Sequence, residues 1–66
     1  MKADRVEVSR DRQANKWLIR IQVGEEVIRR HSHESKDADE NTLRATALKM
    51  AADEGYEIDP LNILFV

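Results

Sequence analysis

The run RRHSHE at residues 29–34 holds both histidines of this chain, His31 and His33, with Glu34 beside them. Imidazole binds divalent metals and moves protons near neutral pH. On an extended strand the two rings point the same way, about 6–7 Å apart. That spacing suits a shared zinc. A structural zinc takes four protein ligands and a catalytic one three. The chain has no cysteine, so Glu34, Asp37 or Asp39 would have to complete the set. A lone His-x-His gives too few ligands on its own. The expectation is a polar strand end, with no metal and no cofactor.

Acid–base work by His31 or His33 with Glu34 is the catalytic alternative. A chain of 66 residues has little material for the dry, concave pocket that such chemistry needs. Gly24 and Gly55 are the two glycines and lie 31 positions apart, so no glycine-rich loop can cradle a phosphate. Ser9, Ser32 and Ser35 stand in no nucleophile-elbow context. The chain is therefore expected not to be an enzyme.

A third chemistry is binding of nucleic acid. Arg20 and Gln22 are side-chain types that read base edges, and Lys16, Arg29 and Arg30 suit phosphates. Residues 1–30 carry eight basic and five acidic groups, a net +3; residues 31–66 carry three basic and eight acidic, a net −5. Such a split marks either a basic binding face or internal charge complementarity. The overall net charge of −2 and a pI near 5.6 run against a dedicated nucleic-acid domain, which is normally strongly basic.

These side chains are positioned by five elements. Val6 and Val8 alternate with charged residues, which predicts a strand at 5–10. DRQAN at 11–15 is turn-like. In KWLIRIQVG, Trp17, Ile19, Ile21 and Val23 share one face, and Lys16, Leu18, Arg20 and Gln22 share the other. Gly24-Glu25 suits a type II′ hairpin turn. EVIRRH then returns over 26–31; adjacent Val27 and Ile28 leave its phase open, and a two-residue loop would place Ile28 opposite Ile21 and Arg30 opposite Ile19, at the rim of the Trp17 face.

The period then changes to that of a helix, expected over 38–54. Asp37 is the expected N-cap, with Glu40 in capping-box spacing. Leu43, Ala47, Met50 and Ala51 make its apolar stripe, widened by Leu48. Gly55 is the expected left-handed residue after the helix. Asp59-Pro60 signals a turn, and LNILFV reads as a last strand over 61–66.

The expected fold is α+β: one small domain over residues 1–66, ordered β-β-β-α-β. Its three- or four-stranded, mainly antiparallel sheet has one helix on the Trp17 face. A right-handed crossover places the last strand parallel to and beside the first. The expected core is Trp17, Ile19, Ile21, Leu43, Ala47, Leu48, Met50, Ala51, Ile63 and Phe65. One helix cannot cover both faces of such a sheet, so one face is left open.

The β-β-β-α order is similar to that of the small N-terminal DNA-binding domains of tyrosine recombinases, in element order alone. Trp17 opening a strand, with Ala47 and Ala51 on the helix, resembles several small bacterial β-α domains of unknown function. Neither likeness brings a site residue with it.

The function expected is that of a small non-enzymatic binding or scaffold protein. It acts through protein–protein contact or self-association as a homodimer, with Leu61, Ile63, Leu64 and Val66 as the associating edge. Nucleic-acid binding through Lys16, Arg20, Gln22, Arg29 and Arg30 is the alternative. MKADRVEV has no apolar stretch of the signal-peptide kind. The longest apolar run, Ile63 to Val66, is far too short to span a membrane. A cytoplasmic location and no membrane partner are expected.

Overall fold

The computed structural model describes residues 1–66. Strand β1 is Arg5–Asp11, β2 is Lys16–Val23 and β3 is Glu26–Ser32; helix α1 is Glu40–Asp53; a 3-10 turn, Pro60–Asn62, leads into β4, Ile63–Phe65. The four strands form one sheet in the order β3-β2-β1-β4. β2 pairs antiparallel with both β1 and β3. β4 lies parallel to β1, so the sheet is mixed. The α+β class, the β-β-β-α-β order and the placing of the last strand agree with the sequence expectation.

Period-2 patterning sets the register. Ile21 pairs with Ile28 and Ile19 with Arg30 across β2–β3. Val6 pairs with Ile21 and Val8 with Ile19 across β1–β2. A slip by one residue would turn every one of these side chains to the other face. Gly24 has φ +60, as the first central residue of a type II′ turn requires. The turn is fastened from outside: Gly24 N–H donates to Asp4 Oδ2 at 2.7 Å, and Gln22 Nε2 donates to the Gly24 carbonyl.

α1 covers one face of the sheet. Ala47 and Ala51 are fully buried and Leu43 nearly so, against Val6, Val8, Ile19, Ile21 and Ile63. The two alanines let the helix backbone come close to the strands. Each fully buried Val or Ile adds about 1.5–3 kcal/mol relative to leaving it in water. Trp17, Leu48, Met50 and Phe65, expected in the core, are only partly buried at its margin. Val6, Val8, Ala3 and Ile58 complete the buried cluster.

Ala3 and Ile58 come together through a second parallel contact. Ala3 N–H donates to the Glu57 carbonyl at 2.8 Å, and Glu57 N–H to the Met1 carbonyl at 2.9 Å. The chain leaving α1 thus runs beside residues 1–3, detours through the 3-10 turn, and rejoins β1 as β4.

Two elements start two residues later than expected, while β1, β3 and the helix end within one residue of expectation. The helix begins at Glu40 with Asp39 as N-cap, whose carboxylate accepts from Thr42 N–H at 2.8 Å. Asp37 is not the cap. Ser35 folds residues 35–38 into a turn first, its carbonyl accepting from Ala38 N–H and its hydroxyl from Asp37 N–H. The last strand is Ile63–Phe65 rather than 61–66. Asp59 accepts from Leu61 N–H at 3.0 Å, and Pro60 opens the 3-10 turn, so Leu61 is held out of the ladder.

Candidate interaction surface

The six residues of RRHSHE separate. Arg29 lies on the open sheet face opposite Arg20. Arg30 faces the helix side, where its Nε donates to Glu54 Oε1 at 2.7 Å. His31 is on the open face, and its Nε2 lies 2.9 Å from Asp11 Oδ2. The carboxylate accepts, so Nε2 carries the hydrogen. Ser32 is buried and its hydroxyl accepts from Glu34 N–H. β3 ends there, so no strand alternation aligns His33 with His31. Glu34 turns to the helix and accepts from the Thr46 hydroxyl at 3.0 Å. No group of three His, Asp or Glu side chains stands close enough to hold a metal ion.

The His31–Asp11 contact spans β2, joining the outer strand β3 to β1 above Leu18 and Lys16. The hydrogen bond from His31 holds the Asp11 carboxyl below its ordinary value, with help from Ala14 N–H. At the other end of the connection, Thr42 N–H and then its side chain lower Asp39 in the same way. Trp17 packs on the helix side, its indole N–H donating to the Ser35 carbonyl at 2.8 Å, with the Arg10 guanidinium 5.5 Å above the ring.

Lys16, Arg20, Gln22 and Arg29 share the open face as expected from alternation; Arg30 does not join them. Of their three charges, that of Arg20 is paired, with Glu7 at 3.1 Å, and Arg5 approaches the same carboxylate at 3.9 Å. Gln22 is turned back onto the hairpin. Asp11 sits directly across from Lys16. Only Lys16 and Arg29 of the five make neither an ion pair nor a side-chain bond.

The two edges of the sheet differ sharply. β3 carries Glu26, Arg29, Arg30 and His31, and charged side chains discourage strand addition. Residues 60–66, PLNILFV, carry no charged side chain. Three of the five exposed large apolar side chains fall here: Leu61 at 85%, Val66 at 67% and Leu64 at 43%. Ile63, expected as part of the associating edge, is buried in the core. Leu64 and Val66 stand on the open face, and Phe65 tucks to the helix side under Arg44, 5.3 Å from the ring centre. The main chain of Phe65, missed by side-chain patterning, forms the middle of this edge.

No protein family, curated protein sequence or solved structure matches this chain. Function is therefore read from the surface itself.

Proposed function

We propose that this protein is a non-enzymatic binding module that takes an extended protein segment onto the β4 edge. The observation that carries this reading is the contrast between edges. One is guarded by charge; the other is an uncharged strand flanked by exposed Leu61, Leu64 and Val66. An edge strand with unpaired backbone groups adds a further strand readily, the backbone giving affinity and alternate side chains specificity.

The test is a proton–nitrogen spectrum of labelled protein, titrated with an acetylated peptide of residues 60–66 bearing a lysine tail. Shifts confined to residues 61–66 and the facing part of β1 are expected. A titration that leaves them unmoved refutes the reading. A mixed DNA duplex at low salt tests the alternative. That alternative rests on the shared face of Lys16, Arg20, Gln22 and Arg29. Shifts at those four residues that fade with salt, and are lost in Arg20→Glu, would put nucleic acid in place of protein.

A further inference from the structure

We infer that the strand taken by this edge belongs to a second copy of the same chain, paired antiparallel about a two-fold axis at Phe65. This rests on the edge-binding reading above and adds the partner and the register.

The backbone of β4 fixes which groups point outward. In a parallel ladder one residue turns both its N–H and its C=O to the neighbouring strand, and the next turns both away. Val66 N–H donates to the Val8 carbonyl at 3.0 Å. Val66 and Leu64 therefore face β1, and Phe65 and Ile63 face out. The Ile63 N–H is already used, donating to the Pro60 carbonyl that closes the 3-10 turn. Phe65 is left as the one residue of β4 with both a donor and an acceptor on the outer edge.

One residue offering both groups is self-complementary. Two Phe65 residues facing each other antiparallel exchange two hydrogen bonds, each N–H to the other's C=O. The same register sets Leu64 opposite the second copy's Val66, twice, on the open face. Both of those side chains are exposed in the single chain. The competing register, centred on Leu64, needs the Ile63 N–H that the turn has taken. It would leave the Phe65 carbonyl without a partner.

Charge agrees. Residues 60–66 carry no charged side chain, so the two β4 strands meet with no like-charged strand side chains opposite each other. Joining β3 to β3 would bring Arg29 and Arg30 against their own counterparts. The product is a continuous eight-stranded sheet with a charged β3 at each end. Such short strands make an interface below about 1,200 Å². The dimer is accordingly weak, with a dissociation constant on the order of 0.1–1 mM.

The deciding experiment uses the 66-residue chain made synthetically with an N-methyl group on Phe65, which removes the outward donor and leaves the inward-facing amides of Leu64 and Val66 untouched. Sedimentation equilibrium is run from about 10 µM to about 1 mM, the range that brackets so small an interface. The natural chain should associate, and the methylated chain should do so at least roughly tenfold more weakly. In a second measurement Leu64→Cys and Val66→Cys chains are mixed and oxidised. Disulfides between the two kinds are expected to exceed clearly the twofold excess over either like pair that random coupling gives. This reports the register without touching the amide. If the methylated chain associates as well as the natural one, or Leu64→Cys couples chiefly to itself, the Phe65 register is overturned while edge binding stands. If the natural chain stays monomeric throughout, the second copy is overturned. The peptide titration then separately decides whether the edge binds anything.

Discussion

Replacing Gly55 with alanine isolates a backbone effect on which the placing of the β4 edge depends. Gly55 has φ +89. It follows the Glu54 C-cap, and its N–H donates to the Ala52 carbonyl while Tyr56 N–H donates to that of Ala51, both at 2.9 Å. This is the Schellman ending, which needs a left-handed residue. A Cβ built at Gly55 would meet no atom within 4 Å, so packing contributes nothing to the cost. What remains is the penalty of a left-handed L-residue, about 1–2 kcal/mol. A chain of this size has about 3–10 kcal/mol in total, on the usual scale of ~0.05–0.15 kcal/mol per residue. A drop in melting temperature of roughly 5–15 °C is expected. Circular dichroism and the fluorescence of Trp17 would follow it. D-alanine at the same position prefers positive φ and restricts the unfolded chain. It should therefore match or exceed glycine, by up to about 1 kcal/mol. If the L- and D-alanine chains melt together, or the L-alanine chain melts within about 2 °C of the natural one, the φ argument is wrong. The same cap aims Glu57 at Met1 and Ala3. Misdirecting it would also loosen the approach to β4.

Two further predictions concern charge and capping. Asp39→Ala should lower the melting temperature and Asp37→Ala should leave it nearly unchanged, because only Asp39 receives Thr42 N–H; the reverse order would restore the expected cap. Asp11 and Asp39 both have folded pKa values below 3.8. Their contribution is complete above that value and is lost as pH falls through the depressed ones. Asp11→Asn and Asp39→Asn should each flatten the fall in melting temperature between about pH 5 and pH 2, and an unchanged acid limb in both would refute the assignment.

The face of β2 was legible because a period of two leaves little choice once one face is buried, and the β2–β3 register followed once the turn was taken as two residues. Trp17-x-Ile19-x-Ile21 fixes its own face, and a two-residue turn at Gly24 then fixes the whole of β3. The helix stripe was equally plain. The helix start was not, because Asp37 and Asp39 are equally good caps locally. Ser35 decides between them by forming its own turn. Leu61 read as strand because it is apolar, although Asp59 and Pro60 hold it in a 3-10 turn. Ala3 and Ile58 join the core through a pairing more than 50 residues apart in the chain, and no local pattern announces that. At the candidate site, alternation gathered four basic or polar residues on the open face and sends Glu7 there too, yet gave no sign that Glu7 pairs with Arg20 or that Asp11, beyond the expected strand, reaches His31. The outward main chain of Phe65 left no mark in side-chain type at all.

The parallel pairing of β1 and β4 also governs how the molecule answers tension. β1 is approached from residue 1 and β4 is left through residue 66, and both strands run the same way. Force applied at those two points draws the strands past each other along their length. The bonds between them, including Val66 N–H to the Val8 carbonyl, are then loaded together. The antiparallel β2–β3 hairpin, pulled at Lys16 and Ser32, would instead open one bond at a time from its end. Although its ladder to β1 spans just three residue pairs, β4 acts as a shear clasp on the fold when the ends are pulled.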